Sequence, residues 1–462
     1  MTTVTLHEGD NRATLRRLID QGVRVHSAVM DPPYGLVSIE KRFGKEGSAP
    51  ARRENNDGSF ARLSGGFMGK HWDASGIERD PEFWKLVYDI LLPGGYVFAF
   101  SGSRTGHWQA CAMELAGFIM HPMHGWCYGS GLAKDHDAAK AIDKSLGVIG
   151  ETVPKGNPVK RMIPGADQHK TGSWIKDNGR VYQPGTYIPA TEQAEQWDGW
   201  AYGTQAQKPA IEPIYLAQKP FSEKTGPANL MKHGVGAVNI DGCRVGNRHP
   251  ANLLLDGSPE VVAMFPANAG ARARVRGTEP SSAFTNVYNA RNRKEGVFHS
   301  DEGSAARFFH QFRYACDRCQ DEGQIVNGAP PDGCWVETCP VCEGRAGLLP
   351  NTQPLIYNGK AAKADRAGSD HPTVKPISLL RYLVRHITPP GGIVLDPFAG
   401  TGTTAVAAQC EGFDCILMEA EPEYIEFLRK RFDLGAAEGM FDDLLGYSTK
   451  RGSVDQFEDL LG

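Results

Sequence analysis

Apolar positions cluster into short runs near both ends of this 462-residue chain and lose their period in the middle. Residues 25–30, VHSAVM, are mostly apolar or β-branched and predict a short buried strand. Near the other end, GGIVLDPFAGTGTTAVAAQCEGFDCILMEAEPEY reads as strand, glycine turn, helix, strand, acidic turn and helix. The expected strands are 393–395 and 415–418, the helix between them is 403–411, and Pro422 suits the first turn of the last helix. This is a βαβ unit, in which ligands gather at the carboxyl ends of the strands. From 151 to 370 the helical period weakens, and QHKTGSWIKDNGR and QWDGWAYGTQ predict irregular loops. Their Trp174, Trp197 and Trp200 are expected as core anchors more than as nucleic-acid contacts.

The first predicted strand runs into MDPPYG, so its carboxyl end carries Asp31, Pro32, Pro33 and Tyr34. Two prolines fix φ and lack N–H groups, which makes the turn stiff and leaves its carbonyls as rigid acceptors. Asp31 adds a carboxylate acceptor and Tyr34 a flat ring for stacking. Together they describe a clamp for a planar amine. The plain structural reading is an Asx-type turn whose tyrosine covers the core.

In the second motif, Gly400 and Gly402 let backbone approach a ligand with no side chain between, and Thr403 and Thr404 open a helix with hydroxyls and free N–H donors. No Lys follows these glycines and the six-residue dinucleotide fingerprint is missing, which argues against a phosphate cradle. Glu419, closing the next strand, is placed to accept hydrogen bonds from a ribose diol. The alternative is a glycine turn that only packs helix on strand.

Length allows two to three domains, or one with large insertions, and 54 glycines with 30 prolines predict long loops. The N-terminal MTTVTLHEGDNR lacks a basic segment followed by an apolar core, and LLPGGYVFAF is broken by Gly94 and Gly95, so neither export nor a membrane span is expected. Ten cysteines then predict reduced thiols or metal ligands in a cytoplasmic setting. A net charge of −4 excludes a uniformly basic coat. Between 266 and 294, however, Arg272, Arg274, Arg276, Arg291, Arg293 and Lys294 face one acid, Glu279, with Phe284 and Tyr288 interleaved. Such a row could follow a phosphate backbone, or be a solvated basic loop.

With DPPY near the front and DPFAGTGTT near the back, the sequence resembles the amino-methyltransferases that methylate DNA bases with S-adenosylmethionine. Catalytic motif first and cofactor glycines last is the order of the beta group of that family. HPTVKP at 371–376 looks like its cofactor-side motif, and Gly9-Asp10 like its early contact to the cofactor adenine; KPAIEPI, NIDGCRV, PANLLLDG and SAARFF are similar to stretches of phage- and prophage-type members. The resemblance implies an α/β class I methyltransferase fold, Rossmann-like, with a mostly parallel sheet flanked by helices. It divides the chain into a catalytic half at 1–150, a target-recognition region at 151–370, a cofactor half at 371–435 and a tail at 436–462. It places Asp10, Thr373, Lys375, Asp396, Phe398, Gly400, Gly402, Thr403 and Glu419 around S-adenosylmethionine, and Asp31, Pro32, Pro33 and Tyr34 at a base flipped out of DNA. An initial Asp in the tetrapeptide resembles adenine-specific members, with N4-cytosine methylation as the alternative. RNA, a protein glutamine or non-catalytic DNA binding also stay open, as does a homodimer.

One feature departs from the family pattern. Cys316 and Cys319, then nineteen residues, then Cys339 and Cys342 form two Cys-x-x-Cys turns, a zinc ribbon or knuckle signature. The expectation is a structural zinc within an insertion at about 314–345, since four thiolates leave the ion no open position.

Overall fold

The computed structural model describes residues 2–34, 76–129, 131, 133–156, 159–160, 181–269, 303–312, 324–327, 335–338 and 374–434. Ten strands form the main sheet: β1 (Val4–Glu8), β2 (Val25–Met30), β3 (Leu91–Phe100), β4 (Ile119–Met120), β5 (His124–Cys127), β6 (Ile211–Gln218), β7 (Leu253–Leu255), β8 (His310–Gln311), β9 (Ile393–Asp396) and β10 (Asp414–Glu419). Their spatial order is β1-β10-β9-β2-β3-β6-β5-β7-β8, with β4 also paired to β6. Six of the pairings are parallel, and β6 alone runs against its neighbours β3, β4 and β5. A mostly parallel sheet is therefore present, as expected.

Helices cover both faces. α1 (Asn11–Asp20), α2 (Pro81–Ile90) and α3 (Gly106–Leu115) lie on one; α4 (Ile377–Ile387), α5 (Thr403–Cys410) and α6 (Pro422–Phe432) contribute to the other. Strand side chains alternate between the two layers. Ala28, Met30, Val97 and Ala99 pack with Leu15, Phe83, Trp84 and Met113, whereas Val29, Phe98 and Phe100 pack with Leu379, Leu383 and Leu428. Each large side chain fully buried here contributes about 1.5–3 kcal/mol.

Sequence and structure agree closely at the two motif-bearing units. The strands and helix of the βαβ unit differ from expectation by a single residue at any end. Asp80 caps α2 by accepting from the Glu82 N–H, with Pro81 in the first turn, and its carboxylate pairs with Arg12 at 2.6 Å to tie α2 to α1.

The 151–370 stretch needs correction, because it is not a recognition insertion alone: it supplies β6, β7 and β8. In β6 seven of eight residues are buried or half-buried, so its sequence shows no clean alternation to mark it as a strand. Short antiparallel pairs outside the sheet also involve this region: 201–205 pairs with 134–137, and 185–188 with 151–154. Nor are Trp197 and Trp200 core anchors: they are 46% and 63% exposed and meet edge to face at 5.6 Å. Trp197 lies in the turn that follows the short helix Glu192–Glu195, and Trp200 lies just after that turn. Trp174 lies outside the described residues.

Candidate active site

The site is built where β2, β9, β10 and β1 end. Parallel register aligns Leu395 with Ala28, Asp396 with Leu417 and Glu8 with Glu419, so the residues after each strand emerge at one edge. Asp31 follows β2 and the Asp396–Gly402 turn follows β9, its immediate neighbour in the sheet. Two segments remote in sequence thereby share a single site.

At the β2 end, Pro32 and Pro33 are buried. Lys375, whose side chain is 5% exposed, sits among Asp31, Tyr34 and Glu212. Its ammonium donates to Asp31 Oδ2 and, at 3.1 Å, to the Tyr34 hydroxyl, and it lies 3.3 Å from Glu212 Oε1. The Tyr34 hydroxyl donates to Glu212 Oε1. Thr105 Oγ1 donates to the Tyr34 carbonyl at 2.6 Å, fixing the end of the proline turn. Asp31 Oδ1 is buried and accepts no hydrogen bond among the described residues.

Burial pushes the Asp31 carboxyl above its usual range; the Lys375 ammonium opposes that rise and the charge of Glu212 adds to it. The Tyr34 phenol is held well above its ordinary value by burial and by the charges of Asp31 and Glu212, so it remains a donor. Burial also raises Asp396, to about 7, against hydrogen bonds from Thr404 and the Phe398 N–H, with the charge of Asp31 adding to the rise.

At the β9 end, the turn is held by Glu419. Its Oε2 accepts from the Gly400 N–H at 2.7 Å, and its Oε1 from Ala420 and Glu421, both at 2.9 Å. A carboxylate offers about four lone-pair sites, so one is left on Oε2 for a ligand hydroxyl. This free acceptor position fits a ribose hydroxyl of a nucleoside cofactor. Gly400 and Gly402 both have positive φ, 51° and 76°. At Gly402 a Cβ would meet Leu428 and Phe432 of α6 at 2.6 Å, so this glycine also serves helix packing. Phe398 packs on Phe83 with ring centroids 5.3 Å apart, and Thr403 is buried at the start of α5. Asp10 caps α1 by accepting from the Ala13 N–H at 2.9 Å, directly beyond the Gly9 N–H bond to the Glu419 carbonyl.

Lys375 differs from its expected place on the cofactor side: the structure directs its ammonium to Asp31, Tyr34 and Glu212. Glu212 itself was not among the expected site residues. Its signal is an acid inside the apolar segment IEPIYLAQ, since a buried carboxylate requires partners. Thr373, the basic set Arg272, Arg274, Arg276, Arg291, Arg293 and Lys294, and the cysteines Cys316, Cys319, Cys339 and Cys342 lie outside the described residues. Among the described residues there is no cluster of three or more His, Cys, Asp or Glu side chains able to hold a metal, and no helix long and apolar enough to cross a membrane.

A family model described as DNA methylase (N6_N4_Mtase) matches residues 25–430. The chain belongs to this DNA methylase family. Similar proteins include the type II methyltransferase M2.DpnII of Streptococcus pneumoniae, 41% identical over 79 residues, which are 17% of this chain and 30% of that protein. Another is the DNA adenine methyltransferase YhdJ of Escherichia coli (strain K12), 42% identical over 67 residues, covering 14% and 23%. The matched segments span between about a fifth and a third of the length of the curated relatives. Among solved structures, the M1.HpyAVI–SAM complex aligns over 94% of this chain and 100% of that one, at 11% identity and a TM-score of 0.35.

Proposed function

We propose that this protein transfers a methyl group from S-adenosylmethionine to the exocyclic N6 amine of adenine in DNA. One observation carries the reading: Asp31 Oδ1, buried and unpaired among the described residues, stands at the end of β2 beside the strand that leads into the glycine turn. An unfilled buried acceptor costs about 1–3 kcal/mol, which an incoming N–H would recover.

The adenine amine is a poor nucleophile because its lone pair is delocalised into the ring. Asp31 Oδ1 and the Pro32 carbonyl would accept its two N–H bonds, favour a pyramidal nitrogen and offset the positive charge that develops on it. Tyr34 would stack on the base. Such a pocket admits only a base flipped from the duplex or presented single-stranded, at an unstacking cost of a few kcal/mol. Asp10, Thr373, Asp396, Phe398, Gly400, Gly402, Thr403 and Glu419 would hold S-adenosylmethionine, which supplies an electrophilic methyl group when bound. The two ends must bring nitrogen and methyl carbon to about 3 Å in line, and the shared sheet edge supplies that proximity.

Adenine is favoured over cytosine by the leading Asp of DPPY and by the adenine methyltransferase named among the relatives. The basic row at 272–294 would follow the DNA backbone, and a zinc held by Cys316, Cys319, Cys339 and Cys342 would stabilise the insertion around it. The test is incubation of the pure protein with methyl-labelled S-adenosylmethionine and duplex or single-stranded DNA, followed by nucleoside analysis. Label in N6-methyladenine supports the reading; label in N4-methylcytosine selects the alternative base. A folded, cofactor-binding protein that labels no DNA refutes both.

A further inference from the structure

Lys375 poses an electrostatic problem for the chemistry just proposed. A lone ammonium bonded to Asp31 would cancel the charge that is meant to stabilise a developing cation on the target amine. The structure contains a second acid at that ammonium. Glu212, from β6, is 2% exposed, and its Oε1 takes the Tyr34 hydroxyl and lies 3.3 Å from Lys375 Nζ. Among the described residues, −1 for Asp31, −1 for Glu212 and +1 for Lys375 sum to −1.

We infer that Glu212 is a positioning residue for methyl transfer: as counter-ion to Lys375 it leaves the charge of Asp31 available to the reacting amine, and through the Tyr34 hydroxyl it holds the stacking ring. This rests on the amine-methylation reading above. Without Glu212, Lys375 commits to Asp31, the cluster becomes neutral, and the methylated amine cation meets no net opposing charge. Ground-state binding of a neutral base changes little, so the effect falls on kcat rather than on KM.

Among the described residues, the groups facing Asp31 and Glu212 include Lys375, Tyr34, Asp396 and Tyr128. Lys375 is the cation among them. Removing the Glu212 charge should therefore move the Asp31 titration to lower pH, because a like charge is lost and the ammonium acts on Asp31 undivided. A purely structural role predicts the opposite: a displaced Lys375 would stop lowering Asp31, and its titration would rise.

The experiment compares wild type, Glu212→Gln and Glu212→Asp in steady-state methyl transfer and in the pH titration of the Asp31 carboxyl by carbon-13 NMR, assigned with Asp31→Asn. Glu212→Gln should lose about 10- to 100-fold in kcat with KM within about twofold, and Glu212→Asp should recover most of that loss. The Asp31 titration should fall in Glu212→Gln and return in Glu212→Asp. An Asp31 titration that is unchanged or raised in a folded Glu212→Gln protein overturns the inference, as does unaltered kcat. Absence of any methyl transfer by wild type would refute the proposed reaction and the role of Glu212 in it, while the carboxyl titration would still decide whether Glu212 is the counter-ion of Lys375.

Discussion

Lys375 and Asp31 are 344 positions apart in sequence, yet the lysine ammonium donates directly to the aspartate carboxylate. That bond joins the segment preceding α4 to the end of β2, and so links the two halves of the chain at the site. The sheet brings the glycine turn to the same place, since β9 pairs with β2 in parallel and their carboxyl ends coincide.

Lys375→Met should leave two buried or half-buried acids without their cation. Removing one partner from such a cluster costs about 3–5 kcal/mol, so chemical denaturation should show a lower midpoint with little change in slope. Methyl transfer should fall, and its acid limb should move to higher pH because the ammonium no longer lowers Asp31. A variant of wild-type stability would show that the ammonium is not engaged with these acids.

Asp396 gives a pH-dependent stability difference. Burial pushes its folded carboxyl up to about 7, above the ordinary carboxylate range. The folded state therefore holds a proton that the unfolded chain releases, and stability from this group falls as pH rises from about 4 to about 7. Asp396→Asn lacks that fall. Its melting temperature relative to wild type should rise between pH 4 and pH 8, measured without ligand. A difference independent of pH would contradict the assignment.

Gly402→Ala combines a left-handed backbone with a Cβ placed 2.6 Å from Leu428 and Phe432. The strain alone is about 1–2 kcal/mol, and displacement of α6 adds to it. Thermal unfolding should fall by several degrees, and binding of S-adenosylmethionine, read by calorimetry, should weaken. Unchanged values in both would show that the turn tolerates a side chain.

Cys319→Ser tests the element read from cysteine spacing. Metal analysis of the purified protein should find one zinc per chain in wild type and loss of that zinc in the variant, with earlier local proteolysis of the insertion. Equal zinc content and equal proteolysis would reject the assignment.

Some of this was legible in the sequence because the physics is local. Two prolines stiffen their own turn, and glycines beside an apolar run mark a strand-to-helix turn, so Asp31 and Gly400 could be named from their neighbours alone. Glu212 could not: its partner Tyr34 is 178 positions away, and nothing within IEPIYLAQ says which acceptor or cation it meets. The same holds for Lys375, whose motif suggested the cofactor side while its ammonium reaches Asp31. β6 was hidden by burial on both faces, which removes the alternation that marks a half-exposed strand. Trp197 and Trp200 failed for a related reason, since a large apolar side chain is buried only where a second layer exists to cover it.

The most direct test replaces Asp31 with alanine and compares N6-methyladenine in DNA from cells making either protein, alongside calorimetric binding of S-adenosylmethionine to each pure chain. If Asp31 acts on the target nitrogen and not on the cofactor, the unaltered enzyme gives modified adenine, Asp31→Ala gives none above background, and cofactor affinity is similar in both. Equal adenine modification by the two would contradict it.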